Sequence, residues 1–240
     1  MATYLGTHGS KIQTYTSDPG NPNTGEVWYN STANTIRVEA QTTAGAWATG
    51  GTMNTGRFYI AGAGTQTSTL AAGGESPPGA VVATTETYNG SAWTSVTSMS
   101  NPRFFTGSAG ESNTSALVFG RYDPASGITE SWNGSSWTEV ADLNTGRDNL
   151  GSATAGTNTD ALAFAGSAPS ETANTELWNG SSWTEVNNLN TATRGVAGAG
   201  TSTSALSSGG ANPGITANTE QYNGTSWTEV NNLNTARRNL

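Results

Sequence analysis

The chain has 240 residues, of which 33% are hydrophobic and 11% charged; Gly, Thr, Ser, Asn and Ala make up most of the rest. Eight Trp, seven Tyr and five Phe argue against a disordered chain, and the length fits one repeat domain or one large β domain. A net charge of −8 with no basic stripe argues against binding the phosphate backbone of nucleic acid, the absence of Cys excludes disulfides and thiolate metal sites, and no apolar run approaches the length of a membrane span.

In chain order, Met1 to Ser10 lacks the basic and apolar blocks of a signal peptide, so an extracellular destination implies release by lysis or a dedicated route. Residues 1–24 read as an extended segment, with Lys11-Ile-Gln-Thr-Tyr15 as a short edge strand followed by a Pro-rich stretch. Such a segment has two roles open to it: packing on the main domain, or touching a second copy in a homo-oligomer. Gly25-Glu-Val-Trp-Tyr-Asn30, Thr35-Ile-Arg-Val-Glu39 and Ala46-Trp-Ala-Thr49 read as three further strands.

From there the chain repeats itself. Asn133-Gly-Ser-Ser-Trp-Thr-Glu-Val140, Asn179-Gly-Ser-Ser-Trp-Thr-Glu-Val186 and Asn223-Gly-Thr-Ser-Trp-Thr-Glu-Val230 are nearly identical, and Asn89-Gly-Ser-Ala-Trp-Thr-Ser-Val96 is a looser copy. The marker tryptophans Trp47, Trp93, Trp137, Trp183 and Trp227 stand 46, 44, 46 and 44 residues apart. Seven residues before a marker stands Glu86, Glu130, Glu176 or Glu220; ten after it stands Arg57, Arg103, Arg147 or Arg237. The fourth copy has Thr193 at the Arg position, with Arg194 one place later. Each unit predicts four short strands, in the first complete copy Phe58 to Gly62, Thr69 to Gly73, Thr84 to Tyr88 and Trp93 to Val96. Asn89-Gly90 between the last two predicts a type I′ hairpin. Four strands in 40–50 residues is the pattern of a propeller blade. The expectation is therefore an all-β, five-bladed β-propeller over residues 25–240, built of four-stranded antiparallel blades. Its fifth blade is stitched from residues 25–53 and 234–240, which pairs the two terminal segments and removes an exposed sheet edge. Deleting the last seven residues is then expected to destabilise it.

The repeated Trp, Glu and Arg recur once per unit, which marks them as structural: blade packing for the Trp, ion pairs setting the register between adjacent blades for the Glu and Arg. The Asn-Gly-Ser/Thr sites match the glycosylation acceptor pattern, but a turn accounts for each. Catalysis finds little support. The single His, His8, lies outside the repeats, no acidic loop has a calcium-binding pattern, and the carboxylates repeat where a catalytic pair would be unique; no cofactor or metal is expected. Variation between units concentrates in the links between second and third strands, each containing Pro. Loops on a rigid scaffold are where recognition usually lives. The candidate ligand-binding residues are therefore Glu75, Arg121, Tyr122, Asp123, Glu171 and Asn212, with Arg121, Tyr122 and Asp123 best suited to a polar or sugar-like ligand.

The order Arg57…Gly73-Gly74…Tyr88…Trp93…Arg103 resembles the Kelch repeat, and the likeness spans about residues 45–240. It departs from the pattern where Gly-Gly is reduced to Phe119-Gly120 and Ala165-Gly166. The near-identical, Cys-free Trp-Asn-Gly-Ser-Ser-Trp-Thr-Glu-Val and Leu-Asn-Thr-Ala-Arg repeats, with the hairpin Gly25 to Val38, are similar to repeat proteins of tailed bacteriophages, cyanophages especially. That resemblance implies a virion component, a tail fibre, head fibre or decoration protein acting as an adhesin, whose partners are other virion proteins or a glycan or protein of the host surface. The other readings are a soluble Kelch-type protein-interaction module and, at a distance, a carbohydrate-active enzyme.

Overall fold

The computed structural model describes residues 12–20, 26–38, 49–122 and 124–239. It is all-β, without a helix among these residues, and divides into two units, Met1–Thr49 and Gly50–Leu240.

The N-terminal unit contains one sheet of three strands, β1 (Gln13–Tyr15), β2 (Val27–Asn30) and β3 (Thr35–Val38), in that order. β2 and β3 form an antiparallel hairpin, with Asn34 at φ 56° in its turn, and β1 runs parallel to β2. Asp18 ties the sheet together: its Oδ1 accepts from Asn30 Nδ2 at 2.8 Å and Trp28 Nε1 at 3.0 Å, and Arg37 lies 3.4 Å from Oδ2. Those two hydrogen bonds, with the Arg37 charge, hold the Asp18 carboxyl below the usual carboxylate range.

The larger unit is four successive antiparallel meanders. The first comprises β4 (Ala61–Thr65), β5 (Ser68–Ala72), β8 (Thr85–Tyr88) and β9 (Trp93–Val96), with a two-stranded ladder, β6 (Glu75–Ser76) and β7 (Ala80–Val81), in the link from β5 to β8. The second is β10 (Gly107–Ser112), β11 (Ser115–Arg121), β12 (Ser126–Trp132) and β13 (Trp137–Val140). The third is β14 (Gly151–Ser152), β15 (Ala161–Phe164), β16 (Thr175–Trp178) and β17 (Trp183–Val186). The fourth is β18 (Ala197–Thr201), β19 (Ser204–Ser208), β20 (Thr219–Tyr222) and β21 (Trp227–Glu229).

The core lies between neighbouring sheets. Leu70, Ala72 and Met99 of the first repeat pack with Val118, Trp132 and Trp137 of the second; Leu117 and Phe119 pack with Trp178 and Trp183; Leu162 and Phe164 pack with Tyr222 and Trp227. Three marker indoles also donate to a threonine of the preceding sheet, Trp137 to Thr85, Trp183 to Thr129 and Trp227 to Thr175, at 3.0, 3.2 and 3.1 Å, whereas Trp93 donates to the Gly51 carbonyl at 3.1 Å. Burying an indole N–H without a partner is costly, so these bonds fix where the large ring can sit. The first strands can approach closely because they are built of Gly, Ala and Ser. A Cβ on Gly198 would stand 2.1 Å from the Ser152 carbonyl of the neighbouring sheet.

In three repeats the marker Glu and Arg lock the linker to the sheet it enters. Glu130 accepts the backbone N–H groups of Ser100 and Asn101 and a side-chain bond from Arg103; Glu176 does the same for Asn144, Thr145 and Arg147. Arg103 thereby joins two sheets. Its backbone exchanges hydrogen bonds with Val82 and Gly74 of the first repeat, while its buried guanidinium meets Glu130 of the second.

Several details depart from the expectations. The first strand begins at Ala61 rather than Phe58, because Tyr59 takes φ 56° and Phe58 pairs with Glu75 instead. The Asn-Gly turns are not two-residue hairpins. Only Gly90 has positive φ, and Asn89 Oδ1 accepts the N–H groups of Ser91 and Ala92 in a four-residue turn, as its counterparts do at Asn133, Asn179 and Asn223. The counterpart of Gly73-Gly74 in the second repeat is Gly120-Arg121, since the N–H of Arg121, like that of Gly74, bonds the carbonyl of the following marker Arg. In the third repeat Ala165 itself takes φ 60°. Residues 234–239 form no strand. They cap the fourth sheet through Gly210 N–H to the Arg237 carbonyl and Arg237 N–H to the Thr216 carbonyl, and the β2 edge assigned to them is taken by β1. Trp47 and the strand expected at Ala46 to Thr49 fall on residues outside those described, Thr49 excepted.

Candidate functional site

Four repeats enter their first strands through short lead-in loops, Arg57-Phe58-Tyr59, Arg103-Phe104-Phe105, Arg147-Asp148-Asn149 and Thr193-Arg194-Gly195, and Arg237-Arg238-Asn239 forms a fifth loop of the same kind. The third residue of every loop is left-handed, at φ 56°, 54°, 51°, 63° and 55°. These loops are linked to one another. Asn149 N–H donates to the Phe105 carbonyl, Gly195 N–H to that of Asn149, and Asn239 N–H to that of Gly195, at 2.7–2.9 Å. All five left-handed residues line one cavity of about 310 Å³, with Ile60, Thr106, Leu150 and Val196 between them.

The two sides of this cavity differ in chemistry. Asn and Gly adopt a left-handed backbone readily, whereas an aromatic residue there costs about 1–3 kcal/mol. Tyr59 and Phe105 accept that cost, and their rings lie against each other, tilted by 36° with centroids 3.9 Å apart. Phe58, Phe104 and Tyr122 extend the cluster: Phe58–Tyr59 and Phe104–Tyr122 meet edge-on at 5.0 Å, and Phe105–Tyr122 at 5.9 Å. Phe58, Tyr59 and Tyr122 remain 43%, 42% and 42% exposed. Three large rings left in water beside a cavity form an apolar patch with a polar surround, the usual character of a binding surface.

The third and fourth loops carry polar groups. Asn149 Nδ2 donates to Asp148 Oδ1 at 2.8 Å. Burial pushes the Asp148 carboxyl above the usual carboxylate range, against the opposing effects of the Asn149 amide and the Arg194 charge. Arg194 Nε lies 3.3 Å from Glu171 Oε1. The cavity wall offers aromatic faces, aliphatic side chains, the hydroxyls of Tyr59 and Thr106 and two amides, and among the described residues it presents no carboxylate, His or Lys.

A second cavity, of about 300 Å³, lies along the same aromatic cluster. Glu75, Gly79, Val81, Pro102, Phe104, Arg121 and Tyr122 line it. Three residues expected from the variable links, Glu75, Arg121 and Tyr122, therefore come together. Glu171 is engaged with Arg194, Asn212 Nδ2 donates to the Ala192 carbonyl, and neither lines that cavity; Asp123 lies outside the described residues. The sequence reading missed Phe58, Tyr59, Phe104 and Phe105. A usable signal was present: two repeats carry aromatic pairs directly after the marker Arg, where the other three carry Asp-Asn, Arg-Gly and Arg-Asn. No protein-family model matches this chain, and no curated protein matches it.

Proposed function

We propose that this chain is a non-enzymatic binding protein, and that the aromatic rim around Tyr59 and Phe105 takes a neutral glycan. The carrying observation is the backbone of those two residues. Three repeats fill the same left-handed position with Asn or Gly, so the loop geometry does not require a ring there. Conformational strain retained at a ligand clamp is a recognised use of such positions. Exposed aromatic faces match the apolar face of a sugar ring, and the amides of Asn149 and Asn239 supply donors and acceptors for its hydroxyls.

The architecture we infer is a five-bladed, Kelch-like propeller in which the N-terminal residues supply the fifth blade. Its support comes from the larger unit alone. Five lead-in loops share one conformation and one cavity, though the unit holds four sheets. The fourth sheet also ends in two half-made junctions. Thr219 donates to the Ala217 carbonyl as Thr129 does to Gly127, but among the described residues no indole donates to it, and Arg237 keeps the marker backbone bonds while its side chain is exposed.

From its resemblance to phage repeat proteins, we assign the chain to a virion as a fibre or decoration protein acting on the host surface. Binding to a glycan array that includes host-surface polysaccharides tests the rim. Tyr59→Ala and Phe105→Ala are expected to abolish binding with no loss of thermal stability; binding that survives both substitutions overturns the assignment. Mass spectrometry of purified particles tests the location. A stable complex with a host protein and no association with particles would favour the soluble interaction module instead.

A further inference from the structure

The fourth sheet repeats the marker glutamate without its arginine. In the other three, Arg57–Glu86, Arg103–Glu130 and Arg147–Glu176 are ion pairs whose side chains are essentially inaccessible to solvent. In the fourth, Thr193 occupies the Arg position with the same backbone bonds: its N–H reaches the Thr172 carbonyl, and its carbonyl accepts from Gly166, as Arg103 does with Val82 and Gly74. Only the side chain has changed. Arg194 does not compensate, because its guanidinium is turned to Glu171.

Glu220 nonetheless keeps the environment of its counterparts. It is 5% exposed. Its Oε2 accepts from the backbone and side-chain amides of Asn190, both at 2.8 Å, and its Oε1 accepts from Thr191 N–H at 3.1 Å. Glu176 receives the same three kinds of bond from Asn144 and Thr145, and the Arg147 guanidinium on Oε1 besides. Beside Glu220 lies a small cavity, with room for one water-sized species, lined by Thr191, Thr193, Ser207, Gly209, Thr216, Asn218 and Glu220. Gly209 and Asn218 are the counterparts of Gly73 and Thr84, whose carbonyls receive the Arg57 guanidinium at 2.8 and 2.6 Å.

We propose that this cavity holds a water-sized monovalent cation, ammonium or potassium, in the place of the missing guanidinium. A buried carboxylate without a counter-charge is strongly unfavourable. Its neighbours offer hydroxyl and carbonyl oxygens, the ligands a hard cation prefers. One carboxylate and a single small space do not meet the six to eight oxygens of calcium, and magnesium retains several of its waters. Ammonium comes nearest to the guanidinium, since it too binds by donating hydrogen bonds.

The test is thermal unfolding of the full chain in ammonium, potassium, sodium and choline chloride at one ionic strength, so that general screening is constant. The midpoint is expected to stand about 2–4 °C higher in ammonium or potassium than in choline. Thr193→Arg, which brings its own cation, is expected to raise the midpoint in choline and to remove the difference between salts. Glu220→Gln is expected to remove that difference as well, which keeps the test available if Thr193→Arg does not fold. Equal midpoints in all four salts would show that only water occupies the cavity and would overturn the proposal. A salt-specific increment that survives in either folded variant would place the cation elsewhere and overturn it too.

Discussion

The junctions between sheets and the rim of lead-in loops repeat in different ways. At the junctions the side chains recur: an indole on a threonine, a glutamate on the linker that enters its sheet, an arginine on that glutamate in three repeats of four. At the rim only the backbone recurs. Five loops share a left-handed residue near φ 50–65°, yet the side chain there is Tyr, Phe, Asn, Gly or Asn. A repeated side chain marks a position whose task is the same in every repeat, here packing and charge pairing. A repeated backbone with a changing side chain marks a position whose geometry is fixed by the fold and whose chemistry is free to serve a ligand.

The comparison breaks most visibly at a junction. Glu176→Gln leaves the Arg147 guanidinium buried without its counter-charge. Loss of one partner of such a pair is expected to lower stability by about 3–5 kcal/mol, read from denaturant unfolding. The same change at Glu220, which has no arginine on it, is expected to cost much less; equal losses would mean that the arginine is not what sets the size of the effect. Next comes removal of residues 234–240, which deletes the backbone bonds to Gly210, Thr216 and Gly195. At about 1 kcal/mol for each bond, a loss near 3 kcal/mol is expected, and an unchanged midpoint would show that the terminal segment caps nothing.

The rim is expected to respond in the opposite sense. Tyr59→Gly and Phe105→Gly relieve a left-handed backbone while deleting a ring. Stability is expected to hold or to rise by about 1 kcal/mol, and glycan binding to disappear. A substantial loss of stability in either variant would move these rings from the binding surface into the architecture.

Much of the architecture was legible because it rests on periodic side chains. The fourth strand of the first meander, Trp93 to Val96, begins at its marker tryptophan, as the repeat predicts. The first strand was misplaced by three residues for a physical reason. Phe58-Tyr59-Ile60 has the composition of a strand, but the lead-in loop requires a left-handed turn at Tyr59, and nothing in an aromatic residue announces positive φ. The same blindness hid the rim, because apolar residues after an arginine read as the start of a strand. The polar side of recognition was partly readable: Glu75, Arg121 and Tyr122 stand out as loop residues and share a cavity. Their convergence on Phe104 depends on sheet-to-sheet packing, which no local pattern encodes.

The smallest effect tests whether the polar side of the rim is built for binding or for stability. Asp148 is buried, and burial raises its pKa in the folded state. The folded protein therefore binds this proton more tightly than the unfolded chain does. Stability contributed by Asp148 is expected to rise as pH falls through the window between its folded and unfolded pKa values, and to fall as pH rises through it. Asp18 in the N-terminal sheet has the opposite sign. Its pKa is lowered, so its contribution is present above the unfolded value and lost as pH falls through the folded one. Unfolding midpoints measured from pH 7 to pH 3 separate the two. Asp148→Asn is expected to gain on the parent at neutral pH and to lose that advantage in acid, whereas Asp18→Asn is expected to lose at neutral pH and to converge with the parent in acid. If the Asp148→Asn advantage is flat across the range, the carboxyl is not paying for its burial, and the Asp148–Asn149 pair belongs with the structural junctions rather than with the rim.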